Sequence, residues 1–268
     1  MPAQIIKDMD ADVYRAAEGV SASDLKHICP PKTPAHYLAN VVGRVERVQT
    51  KAMLIGTLAH LAVLEPEKMD AAFALKPADM DLRTKEGKEW RASLGGLPIL
   101  DQGESDMLNG IRDAVADHET AQALLKGADY EVSLFAEHEP TGLPIKGRLD
   151  AIGGSVIADV KTCEDASPGA FAASAARLLY DMSAAHYCAL ANECGIGVDQ
   201  FFWIAVEKAA PFAVAVYEPS DAVRERGFRL AEEALATVKR CCDSQEWPAY
   251  GQGAAVLHYP QWALGGVA

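Results

Sequence analysis

The hydrophobic period changes midway along the chain, and the change predicts where its chemistry lies. Over residues 50–64, Met53, Leu54, Thr57, Leu58, Leu61 and Leu64 recur at helical spacing until Pro66 closes the segment, with His60 inside it. From Tyr130 the period becomes two. Tyr130, Val132, Leu134 and Ala136 alternate with Glu131, Ser133, Phe135 and Glu137, and Thr141-Gly142-Leu143-Pro144 turns the chain. Three antiparallel strands are predicted over residues 130–161. In the last hairpin, Ile145, Gly147, Leu149 and Ala151 take one face, leaving Lys146, Arg148 and Asp150 on the other. After the Gly153-Gly154 turn, Val156, Ala158 and Val160 form an apolar stripe while Asp159 and Lys161 point together to the opposite face. Asp150 can then face Asp159 across the hairpin.

The flanking elements read as helices and two further strands. Ser21 to Asp24 offer N-caps for a short helix through Ile28, and Thr33 before Pro34 caps another to about Asn40, separated by Pro30-Pro31. Helices are predicted at residues 85–94, at 106–125 with a break near His118, at 169–179 and at 182–194. Strands follow at 199–206 and 212–217, then a long helix at 219–242 and an unassigned tail from Trp247. The fold class is therefore α/β (α+β), with a central mixed five-stranded sheet flanked by helices. The expected organisation is one domain over residues 1–268: a mainly helical part, 1–100, carrying His60, and a sheet-containing core, 125–245.

Composition narrows the function classes. With 268 residues, half of them hydrophobic, a substantial core is available, and no apolar run is long enough to span a bilayer. Residues 1–12 are too polar for a signal peptide, so a cytoplasmic protein with no membrane partner is expected. Six cysteines, at 29, 163, 188, 194, 241 and 242, show no CxxC pair, which favours free thiols over disulfides or zinc. A net charge of −13 excludes a protein that coats nucleic acid by charge alone, so any DNA contact must be local. Arg44, Arg47 and Lys51 form one candidate basic patch, and Arg83, Lys85, Lys88 and Arg91 another; each also reads as a solvated helix face.

The hairpin supplies what phosphodiester hydrolysis requires: a nucleophilic water, charge neutralisation at the phosphoryl oxygens and help for the leaving oxygen. Asp150 and Asp159 can hold Mg²⁺ (or Mn²⁺) by hard oxygens, with the Val160 carbonyl as a further ligand. Lys161 can orient or deprotonate the attacking water or stabilise the developing charge. Glu131, on the preceding strand, is a catalytic candidate near the same site. Bland readings compete: His60 as a satisfied core histidine, Gly56 as a residue permitting close helix packing, Tyr187 as core packing beside Leu190.

Taken together, Gly56-Thr57-Leu58-Ala59-His60, Glu131, Gly147-Arg148-Leu149-Asp150, Asp159-Val160-Lys161 and Tyr187 resemble the PD-(D/E)xK nuclease superfamily. The opening is similar to RecE-type exonuclease (exonuclease VIII) domains of the RecB-like branch and their phage relatives. Its residues are Val20-Ser21-Ala22-Ser23-Asp24-Leu25-Lys26 and Thr33-Pro34-Ala35-His36-Tyr37, with residues 81–88 as a third similar segment. In that branch a Gln-x-x-x-Tyr motif follows the Asp-x-Lys strand; here Ser183 takes the glutamine position ahead of Tyr187. The resemblance implies that His60 completes the metal site and that Tyr187 contacts the DNA backbone, with Arg148, Lys85 and Lys88 as further DNA contacts. It implies a Mg²⁺-dependent exonuclease acting 5′ to 3′ on double-stranded DNA ends and leaving 3′ overhangs for recombination. It also implies a homo-oligomeric ring and a RecT-type or phage single-strand annealing protein as partner. Alternatives are a Cas4-like or restriction-type endonuclease and a catalytically inactive DNA-binding or assembly protein. A non-haem iron site using His60 and Asp150 lacks a second histidine.

Overall fold

The computed structural model describes residues 2–43, 50–251 and 253–259. Arg44 and Arg47 of the first basic patch, and the tail from residue 260, lie outside the described residues. In chain order come β1 (Gln4–Ile6), α1 (Ala11–Ala16), α2 (Ala22–Leu25), α3 (Pro34–Tyr37), α4 (Lys51–Leu64) and α5 (Met69–Ala72). Then follow β2 (Ala74–Leu75), α6 (Lys85–Ser93), β3 (Ile99–Leu100), α7 (Gln102–Asp117) and α8 (Glu119–Leu125). The second half holds β4 (Asp129–His138), β5 (Leu143–Gly153), β6 (Val156–Cys163), α9 (Pro168–Arg177) and α10 (Tyr180–Glu193). β7 (Gln200–Glu207), β8 (Val214–Tyr217) and α11 (Asp221–Ser244) complete it.

The central sheet is mixed, as expected, but has six strands rather than five, in the order β1-β4-β5-β6-β7-β8. The added strand is β1, paired antiparallel to β4 through Gln4–Phe135, Ile5–Leu134 and Ile6–Ser133. Three residues cannot display a period of two, so only β4 defines this edge. Every neighbouring pair is antiparallel except β6 and β7, which run parallel because α9 and α10 cross over between them. A separate parallel pair, β2 with β3, also escaped the sequence pattern.

The two faces bury separate cores. On one, α10 and α11 pack Met182, Leu190, Leu235 and Val238 against Leu134, Ile145, Leu149 and Trp203. On the other, α4, α7 and α8 pack Leu58, Ala59, Ile111 and Leu125 against Ala158, Val160 and Ile204. The buried stripe of α4 is Ile55, Leu58, Ala59, Ala62 and Leu64; of the expected set, Leu58 and Leu64 are buried, Leu54 and Leu61 are half-buried, and Met53 and Thr57 are exposed. Alanines bring this helix close to β5 and β6, and His60 with it. Gly56 faces open space, so close packing does not require it. Gly147 is the glycine that packing does require: a Cβ there would stand 2.8 Å from Leu190 Cδ2 and 3.1 Å from Tyr187 Cδ1.

Candidate active site

The site forms where the hairpin strands lose their regular face alternation. Leu149 packs on the α10 side of the sheet and Ala151 on the α4 side, although residues two apart on a regular strand share a face. Val132 and Tyr130 on the neighbouring strand divide in the same way. Between them Glu131 adopts φ +49°, a left-handed conformation that costs a non-glycine residue about 1 kcal/mol or more, and it forms no ladder pair with Asp150. The single expected face for Ile145, Gly147, Leu149 and Ala151 therefore breaks at Asp150. No feature of the sequence announces this, because Glu131 is not a residue that favours positive φ.

The break leaves Asp150 free to leave the strand pattern. The β5–β6 ladder ends at Ala151 and Ala158, and beyond it the Val160 N–H donates to Asp150 Oδ2 at 2.8 Å. The same oxygen lies 3.2 Å from His60 Nδ1 on α4. His60, Glu131 and Asp150 each present a ligand atom within 4.8 Å of the others, all three half-buried. One imidazole and two carboxylates form a donor set that suits a divalent cation such as Mg²⁺ or Mn²⁺. Asp159 stands one register step past Ala158 and is ion-paired with Lys161, so it borders this trio rather than joining it. The Lys161 ammonium also donates to the Val160 carbonyl at 3.5 Å, which turns that oxygen toward the same side.

The electrostatics separate the two aspartates. Burial opposes the charge of Asp150, but His60, Lys161 and the Val160 N–H outweigh it and hold the carboxyl well below its usual range. Burial raises Asp159, the Asp150 charge raises it further, and Lys161 only partly offsets them. His60 is driven up by the Asp150 carboxylate against the cost of burial, and Lys161 is likewise driven up by Asp159 and Asp150. Burial and Asp150 raise Glu131 despite Arg148, whose Nε lies 2.8 Å from Glu131 Oε2.

The candidate DNA contacts have mixed fates. Arg148 is tied down by Glu131, donates to the Met9 carbonyl at 2.8 Å and lies over the Tyr14 ring. Tyr187 packs against Gly147 and lines a cavity of about 650 Å³ with Tyr14, Lys146 and Arg148. Burial holds its phenol well above the ordinary value. Ser183, at the expected glutamine position, donates its hydroxyl to the Leu179 carbonyl one helical turn back. Lys85 and Lys88 lie exposed on α6, outside the cluster, with Lys85 3.9 Å from Glu89. Lys51 of the first patch pairs with Glu104 at 2.8 Å. All six cysteines are free thiols, and among the described residues no helix is long and apolar enough to cross a membrane.

Two further residues carry no recognised role in the sequence. Tyr180 supports Lys161, whose ammonium lies 5.2 Å from the ring centroid. His186, buried in α10, donates from Nε2 to the Lys146 carbonyl at 3.0 Å and clamps that helix to β5.

The fold is shared with a solved structure. A "putative exonuclease" of Eubacterium rectale superposes with TM-score 0.64 at 15% identity, over 98% of this chain and 100% of that one. A phage-related exonuclease of Haemophilus somnus 129PT aligns with TM-score 0.36 at 13% identity, over 87% and 100%. None of the curated proteins matches the chain in sequence. The family model described as a PDDEXK-like domain of unknown function (DUF3799) matches residues 21–259. That match takes in both faces of the sheet, the hairpin and the histidine helix, and the chain accordingly belongs to the PDDEXK-like family, with the nuclease-type fold that goes with it.

Proposed function

We propose that the protein is a Mg²⁺-dependent deoxyribonuclease, an exonuclease that digests linear double-stranded DNA from its 5′ ends and leaves 3′ overhangs for strand annealing. The observation that carries the metal-dependent part is the meeting of His60, Glu131 and Asp150 within 4.8 Å, beside the Asp159–Lys161 pair. The exonuclease part draws on the resemblance to RecE-type enzymes and on the fold shared with the "putative exonuclease" of Eubacterium rectale.

The residues divide the work. His60, Glu131 and Asp150 would hold the cation, with Asp159 and the Val160 carbonyl at its edge. When bound, a divalent cation neutralises phosphoryl oxygens and makes a water more acidic. Asp150, kept ionised by its surroundings, is ready to bind without first losing a proton. Lys161 stays protonated between two carboxylates, so its part is to orient the attacking water and to stabilise charge growing on the phosphoryl oxygens. The raised Asp159 is the better placed of the two aspartates to accept a proton.

Double-stranded DNA ends, a ring of identical subunits and a single-strand annealing protein complete the reading. A ring would reconcile a net charge of −13 with DNA binding, because an acidic exterior can surround a basic channel. The test uses linear duplex labelled at the 5′ or the 3′ end, with covalently closed circles alongside, in Mg²⁺. Early release of the 5′ label as mononucleotide with circles intact is expected. Cutting of closed circles would assign an endonuclease, and a monomeric mass in solution would remove the ring.

A further inference from the structure

Beside the cluster lies a second lysine outside the Asp-x-Lys motif. Lys26 follows α2, whose start is fixed by a reciprocal cap between Ser21 and Asp24 and whose Leu25 is fully buried. The helix packs on α10, and this brings the half-buried Lys26 ammonium 5.3 Å from the Tyr180 ring centroid. Lys161 stands 5.2 Å from the same centroid, so two ammonium groups converge on one aromatic ring.

The carboxylates that act on Lys26, Asp159 and Asp181, are already paired, Asp159 with Lys161 and Asp181 with Arg226. Among the described residues the Lys26 ammonium makes no hydrogen bond and no ion pair. Burial and the like charge of Lys161 pull its pKa down to about 8. Lys161 and Arg226 each have a carboxylate partner at this corner and Lys26 has none, so an incoming anion would meet an ammonium without a counter-ion. A lysine is suited to a phosphate, as a compact point charge on a flexible stem.

We infer that Lys26 is a phosphate-binding residue of the site, holding a backbone phosphate of the DNA beside the one that Lys161 addresses. The inference rests on the nuclease reading and adds to it a residue that the Asp-x-Lys signature does not contain. Lys26→Met keeps the aliphatic stem and removes the charge; Lys26→Arg keeps the charge. Binding of labelled linear duplex by the full chain is followed by fluorescence anisotropy across a salt series, with Ca²⁺ replacing Mg²⁺ to prevent cutting, and steady-state cleavage is measured in Mg²⁺. Lys26→Met is expected to flatten the slope of log affinity against log salt by about 0.9, the release of one counterion fewer. It should also raise KM about tenfold with a smaller change in kcat, and Lys26→Arg should restore most of both. Slope and KM equal to wild type in Lys26→Met, or a loss that Lys26→Arg does not restore, would overturn the inference while wild-type cleavage leaves the nuclease reading standing. A wild-type chain that neither binds nor cuts DNA overturns both.

Discussion

Asp150 and Asp159 lie one register step past the last paired residues of the same hairpin, yet their surroundings drive them in opposite directions. Asp150 faces His60 and a backbone N–H and is held ionised; Asp159 is more deeply buried, faces Lys161 and is pushed toward protonation. Under the proposed function the β5 half would hold the cation, and the β6 half would handle a proton and the charge of a phosphate. Two identical side chains acquire different work from what packs against them, which is why an Asp-x-Lys motif alone says so little.

The comparison can be broken from either half. Asp150→Ala should lower the cleavage rate by about 10³-fold or more and abolish Mn²⁺ uptake in calorimetry, because the central carboxylate of the trio is lost. Lys161→Ala should cost about 10²–10³-fold in kcat while Mn²⁺ uptake survives. Equal loss of metal binding in both variants would mean that the two halves are not distinct.

Three stability measurements sharpen the picture with smaller effects. Gly147→Ala inserts a methyl group against Leu190 and Tyr187, and denaturant melts should show a loss of about 1–3 kcal/mol as α10, which carries Tyr180, is pushed off β5. At Glu131 both Gly and Ala remove the carboxylate, but only Gly relieves φ +49°. Glu131→Gly should therefore be more stable than Glu131→Ala by about 1 kcal/mol, and equality would show that the backbone is not strained there. The smallest effect concerns His186, whose pKa burial holds below 6.5 in the folded chain. The unfolded chain then binds the extra proton on acidification, so this residue's contribution is complete above 6.5 and declines as pH falls toward the lowered folded value. In thermal melts from pH 7.5 to 5.5, His186→Gln should show a shallower decline than wild type, by about 1 kcal/mol or less.

Much of this was legible in the sequence for a physical reason: buried strands and amphipathic helices impose their period on the residues. The hairpin, the break at His118 and the helix carrying His60 follow from that period alone. Where the period is too short to register, as in Gln4–Ile6, the strand is visible only through its partner β4. The face switch at Glu131 and Asp150 was hidden because it violates the alternation from which faces are read, and it occurs where the ligand atoms converge. In the sequence Gly147 stands out only as part of a motif, whereas in the fold it admits α10. Lys26 lay within a familiar stretch of sequence, but its approach to Lys161 depends on the packing of α2 against α10.

The most direct measurement is the release of acid-soluble nucleotide from linear duplex DNA by the wild-type chain in Mg²⁺, in excess chelator, and by Asp150→Ala in Mg²⁺. Release only by the wild type and only with the metal is expected if His60, Glu131 and Asp150 form the cation site of a nuclease. Undiminished release in chelator, or by Asp150→Ala, would contradict it.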